Sequence, residues 1–132
     1  MTRTKDETMS LEDRVNYSNE INPDIYVSIH TNSTVNGESY GLETHYFKDN
    51  SYNLAQIVHS EFACPKNLRK WETLDRGVFK SRFYVINHTE APAILIEMGF
   101  ISNSYDAELM VYSPNLFALG IYRGVLDYYG MR

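Results

Sequence analysis

At 132 residues, with 43% hydrophobic and 22% charged residues, the chain is long enough to bury a core as one globular domain. Its net charge of −5, with no basic stripe to neutralise phosphates, excludes nucleic acid as an expected partner. No apolar run approaches the ~20 residues of a membrane-spanning helix, and a single cysteine, Cys64, leaves no internal disulfide and no cysteine-built zinc site.

The opening Met1–Glu7 contains no apolar h-region, so no export signal is expected within the chain. Met1-Thr-Arg-Thr4 reads as the end of a strand, followed by a polar turn. Ser10 is placed to cap a helix, with Asp13 three residues on completing a capping box. Leu11, Val15, Ser18 and Ile21 recur at helical spacing, which predicts a helix over 11–21, stopped at Asn22-Pro23. Ile25-Tyr-Val-Ser-Ile29 is a nearly continuous apolar run, as suits a parallel strand covered on both faces. Residues 42–47 alternate and are rich in strand formers. A helix is expected over about 51–63, with Leu54, Ile57, Val58 and Phe62 facing inward.

Residues 66–80 read as a loop carrying Trp71 and the turn Asp75-Arg76-Gly77, and Phe83–Ile86 as a short strand. After Pro92, Ala93-Ile-Leu-Ile96 is the second buried strand. Helices near 105–110 and 114–129 close the chain. Strands alternating with helices predict an α/β fold, a mostly parallel sheet flanked by helices on both faces, with residues 1–132 as one domain.

Both strongly apolar strands end on an ionisable residue, His30 and Glu97. In an open α/β sheet the ligand crevice lies beyond the carboxyl ends of parallel strands. If these strands are neighbours, an imidazole and a carboxylate face one crevice, where they can serve as metal ligand and general base. Taken singly, a strand-end histidine is also a common hydrogen-bonded residue, and a glutamate next to a Gly-containing exit also caps the following turn.

Several blocks of wording follow one another in order: Thr2-Arg3-Thr4-x-Asp6, Leu11-x-x-Arg14, Ser28-Ile29-His30-x-Asn32, Gly41-Leu42-Glu43-Thr44, Asp75-Arg76-Gly77, and Pro92 through Ile96-Glu97-x-Gly99-Phe100-Ile101-Ser102-Asn103. Together they closely resemble the type-3 family of zinc-dependent N-acetylmuramoyl-L-alanine amidases, along the whole chain. The resemblance implies a peptidoglycan hydrolase that cuts the amide between N-acetylmuramic acid and L-alanine of the stem peptide. It implies Zn²⁺ as cofactor, with His30 as a zinc ligand and Glu97 as the catalytic glutamate. It sets Asn32 beside the metal site, where support of loop geometry is the plainer role. It sets Arg76 at the border of the substrate cleft, where a solvated turn arginine is the alternative.

The family's other two zinc ligands, a histidine in a Gly-His-Gly-Gly-like loop and a helix glutamate, have no counterpart in this sequence. The expectation is therefore a domain lacking the family's first strand and helix. His45, His59 and His88 read as solvated rather than as substitutes. The implied partner is peptidoglycan, with self-association through an incomplete sheet, and the implied setting is the bacterial wall, periplasm or exterior. The alternative is a catalytically inactive relative or fragment that binds peptidoglycan or a partner.

Overall fold

The computed structural model describes residues 1–64 and 73–132. The expected loop around Trp71 falls partly outside that range. Helix α1 (Leu11–Ile21) forms where its caps dictate. Ser10 Oγ accepts the Asp13 N–H at 3.0 Å, while Asp13 Oδ2 accepts the Ser10 N–H at 3.3 Å. Asn22 ends the helix in the left-handed conformation, φ 44°, which asparagine tolerates better than most residues.

Strand β1 (Tyr26–Asn32) and strand β2 (Leu42–Tyr46) follow. A 3₁₀ turn (Asp49–Ser51) then leads into α2 (Tyr52–Phe62). After β3 (Asp75–Lys80) and the short α3 (Tyr84–His88) comes β4 (Ala93–Phe100), then α4 (Ser104–Tyr112) and α5 (Pro114–Tyr128). The four strands lie in the order β1-β4-β2-β3. β1 pairs parallel with β4, and β2 parallel with β3, while β2 and β4 run antiparallel.

β4 is central and covered on both sides, which accounts for its unbroken apolar run. Ile94 and Ile96 pack with Leu54, Val58 and Phe62 of α2, Leu109 of α4, and Phe117 and Ile121 of α5. Ala93 and Leu95, on the other face, pack with Val15 of α1 and with Val85 and Ile86 of α3. Ser51 Oγ accepts the Ala93 N–H at 2.9 Å and joins the start of α2 to the start of β4. Lys48 Nζ donates to the carbonyls of Thr89, Glu90 and Ala91, so one ammonium satisfies three acceptors in the turn that launches β4.

Helices α2 and α5 approach closely because α5 carries glycine where it crosses. A Cβ on Gly124 would lie 2.6 Å from the Val58 Cα, and one on Gly120 would lie 2.9 Å from the Phe62 Cα. Backbone cannot yield as a side-chain tip can. Gly124→Ala is accordingly expected to destabilise the fold by about 1–3 kcal/mol despite alanine's better helix propensity, measured as a lower urea midpoint. An unchanged midpoint would show that the two helices separate freely.

Four local expectations differ from the structure. Among the described residues β1 is an edge strand paired only with β4, not a strand covered on both faces: Ser28 is its one buried residue and Ile29 is 51% exposed. Asp75–Lys80 is a strand, not part of a loop: Gly77, at φ +96°, bends it, yet it pairs with β2 along its length. Phe83–Ile86 is not a strand, since Phe83 caps α3 and the adjacent Val85 and Ile86 are both buried, as one helical turn permits and an alternating strand does not. Met1–Thr4 is not in a strand.

Candidate active site

The strand register assembles the site. His30 lies opposite Glu97 across β1 and β4, and Glu97 lies opposite Glu43 across β4 and β2. Because directly paired residues project to the same face of a sheet, His30, Glu97 and Glu43 form one row over three neighbouring strands. The row is on the side of Ala93 and Leu95, the face shared with α1. Since β2 runs antiparallel to β4, it is the first turn of β2, at Glu43, that meets the carboxyl end of β4.

Just past the row the ladder shifts. His30 to Asn32 on β1 is matched by Glu97 to Phe100 on β4, so an extra residue bulges from β4 at Met98-Gly99. That bulge brings Phe100 to the same face as Glu97 and Asn32. Gly99 allows it: its φ is +133°, and a Cβ there would meet Asp106 Oδ2 at 2.9 Å.

A second irregularity, between Leu42 and Glu43 where β2 meets β3, leaves Arg76 as the extra residue, and its Nε donates to Glu43 Oε1. The guanidinium also lies 5.3 Å from the Phe100 ring centroid. Thus the structure gathers His30, Asn32, Glu97 and Arg76 at one edge of the sheet, and adds Glu43. Asn32 Oδ1 accepts the N–H of Ser33 at 2.8 Å, a contact that shapes the loop after β1.

The electrostatics single out Glu97. Burial, then the neighbouring Glu43 charge, push its pKa up from 4.5 to about 7. Its Oε2 is buried with no hydrogen-bond partner among the described residues. Native proteins rarely leave a buried polar atom unpaired, and such atoms concentrate where chemistry is done. His30 Nε2 lies 2.9 Å from Ser28 Oγ, and burial, then the Arg14 charge, lower the imidazole's pKa. The ring is thus held neutral, the form that donates a lone pair.

Glu97 therefore costs stability when ionised. Its folded pKa exceeds its unfolded one, so the native state binds more protons, and stability falls as pH rises from about 4.5 through about 7. In EDTA, Glu97→Gln is expected to stabilise the protein by on the order of 1–2 kcal/mol at pH 8, discounted for partial solvent screening, and by nearly nothing at pH 4. Thermal melts at the two pH values check this, and an equal gain at both would place the cost elsewhere.

Two histidines expected at the surface are buried. His45 donates from Nε2 to Glu43 Oε2 at 3.1 Å, accepts at Nδ1 from Ser81 Oγ at 2.8 Å, and contacts the rings of Phe79 and Phe83. Desolvation lowers its pKa against the opposing pull of Glu43. His59 joins Thr44 Oγ1 at 2.9 Å to Asp75 Oδ1 at 2.8 Å and so ties α2 to β2 and β3. His88 is exposed, as expected, and stacks on Tyr84.

Sequence reading also missed Asp106, which is 2% exposed. Its Oδ2 accepts the N–H groups of Gly41 and Phe100, each at 2.8 Å, and its Oδ1 accepts from Thr73 Oγ1 at 3.3 Å. One carboxylate thus ties the start of β2 and the end of β4 to α4. The available signal was its place three residues after the helix cap Asn103.

Comparison with known proteins bears on this arrangement directly. Residues 1–127 match the family described as N-acetylmuramoyl-L-alanine amidase. The chain belongs to the N-acetylmuramoyl-L-alanine amidase family. It is 40% identical over 111 residues to the uncharacterized protein YqiI of Bacillus subtilis, covering 81% of this chain and 51% of YqiI. It is 35% identical over 133 residues to the amidase LytC of the same organism, covering 98% of this chain and 26% of LytC. The chain thus spans about half the length of one of these relatives and about a quarter of the other. The catalytic domain of CwlV, an N-acetylmuramoyl-L-alanine amidase from Bacillus (Paenibacillus) polymyxa var. colistinus, superposes with a TM-score of 0.88 at 34% identity, covering 99% of this chain and 72% of that one. The amidase match spans every strand of the sheet and so includes His30, Glu43, Arg76 and Glu97.

Proposed function

We propose that this chain carries the proton-transfer face of a peptidoglycan hydrolase that cleaves the amide between the lactyl group of N-acetylmuramic acid and L-alanine. The observation that carries the reading is Glu97: a carboxylate of pKa about 7 with Oε2 unpartnered among the described residues, beside a neutral imidazole, in the carboxyl-terminal half of β4. A general base works best when its pKa lies near the working pH. In this reading Glu97 takes a proton from the attacking water as oxygen bonds to the carbonyl carbon. It then delivers that proton to the alanine nitrogen as the C–N bond breaks. Arg76 and Asn32 border the bound substrate.

The family implies zinc, which would polarise the carbonyl and activate water. The donors among the described residues do not complete such a site. Among the described residues no three His, Cys, Asp or Glu side chains converge to hold a metal ion, and His30 is a single ligand where three are usual. The 132-residue chain is therefore expected to retain well under one zinc per chain after dialysis, with His30→Ala changing the content little. Elemental analysis checks this, and stoichiometric zinc would mean that the donors lie elsewhere. The same shortfall favours the second reading, a relative that binds peptidoglycan without cutting it.

The natural setting of either activity is the bacterial wall, and an enzyme acting on its own wall would be an autolysin. No described helix is long and apolar enough to cross a membrane. Self-association, where it occurs, would use β1, which pairs on one side only among the described residues and carries the half-exposed Ile29 with no lysine or proline to blunt its edge.

Digestion of purified sacculi in zinc-containing buffer tests the function. New L-alanine amino termini without new reducing sugar ends support the amidase. Sacculus binding with no release supports the binding relative, and reducing ends without amino termini would overturn both.

A further inference from the structure

The chemistry proposed for Glu97 makes no use of Glu43, yet Glu43 is the most heavily engaged carboxylate in the row. Its side chain is 9% exposed and gripped on both oxygens, Oε1 by Arg76 Nε and Oε2 by His45 Nε2. His45 is itself fixed by Ser81 and the two phenylalanine rings. The arrangement therefore runs from a rigid buried end outward to Arg76, whose side chain is 34% exposed.

That guanidinium is immobilised before any ligand arrives. Nε is on Glu43, Nη1 reaches the Tyr40 carbonyl at 3.4 Å, and the Phe100 ring lies against its face. Among the described residues Nη2 has no hydrogen-bond partner, and the side chain is a third exposed, so that donor is available to a ligand. A free surface arginine loses rotamer freedom when it captures an anion, and this one has already lost it. Five donors in a planar fork suit a carboxylate above other ligands.

The row also sets a distance. Strands are spaced ~4.8 Å apart, so Glu43 lies one spacing from Glu97, and the guanidinium it holds, which also lies over Phe100 of β4, stands between one and two spacings from Glu97. An extended peptide covers ~3.4 Å per residue. A ligand whose scissile amide lies at Glu97 thus brings a group some two residues along to Arg76.

We propose that Glu43 is a positioning residue that holds Arg76 as the docking point for a carboxylate on the stem-peptide residue following L-alanine. This rests on the amidase reading and names the part of the substrate that the site selects.

The test is calorimetric binding of N-acetylmuramoyl-L-alanyl-D-glutamate and of its carboxamide counterpart to the 132-residue protein, in EDTA so that no turnover intervenes. The wild type should prefer the acid by about tenfold, the size of a charge-assisted hydrogen bond. Arg76→Ala and Glu43→Ala should both reduce that preference to within about twofold, with Arg76→Lys and Glu43→Gln intermediate. A merely structural role for Glu43 would lower the melting temperature and weaken both ligands alike, leaving the ratio intact, and that result would overturn the proposal. Equal wild-type affinity for acid and amide would also overturn it while leaving the amidase reading standing. Failure of the wild type to bind either ligand would overturn both.

Discussion

Whatever release of L-alanine amino termini the chain gives from sacculi in zinc-containing buffer, replacing Glu97 by glutamine is expected to lower it by about 10²–10⁴-fold, the range a positioned proton carrier supplies. The substitution preserves shape and removes only the ability to accept a proton. Because ionised Glu97 costs stability in its buried setting, the variant should melt at or above the wild-type temperature near neutral pH. Loss of activity with gain of stability is a pairing that misfolding cannot produce. A folded Glu97→Gln protein that retains full turnover would assign the proton transfer to another group.

The largest expected loss of stability belongs to Asp106→Ala. Removing the carboxylate orphans the buried N–H groups of Gly41 and Phe100 together. Each unsatisfied donor costs about 1–3 kcal/mol, so the variant should lose roughly 3–5 kcal/mol, enough to unfold a marginal domain. Asp106→Asn can set its one carbonyl oxygen where Oδ2 accepts both N–H groups, so it loses the charge rather than the acceptor and should cost only about 1–2 kcal/mol. Urea titrations of the three proteins give the ranking. An alanine variant within about 1 kcal/mol of wild type would show that water enters and replaces the carboxylate. Because Asp106 also anchors the end of β4, surviving Asp106→Asn protein should show impaired turnover.

Local signals were legible where local physics decides. Ser10, Asp13 and Asn22 bound α1 in the structure as they do in the sequence, because capping depends only on neighbours within a few residues. The strands β1 and β4 were legible from their apolar runs, but only β4 is buried on both faces; β1 lies at the edge, a place in the sheet order that its own residues do not state. β3 was not legible, because Asp75-Arg76-Gly77 has turn chemistry and becomes strand only through pairing with β2. The buried histidines were missed for the same reason. His45 is matched by Ser81 and His59 by Asp75, partners supplied from other elements. Glu43 sits within recognisable family wording, but its place in the row depends on β2 running antiparallel to β4, and no residue of β2 states that direction.

The order of the strands in space also governs when the site can exist. β4 is the last strand made and the one that lies between β1 and β2. Until it inserts, His30 and Glu43 belong to separate pieces of chain with nothing between them, and the anchoring α4 has not yet been made. Folding thus depends on non-local pairing, which is intrinsically slow. A nascent or partly threaded polypeptide of this kind has no hydrolytic face at all. Any activity switches on only once the final third of the chain is free, so an enzyme built this way is silent while it is being synthesised or delivered.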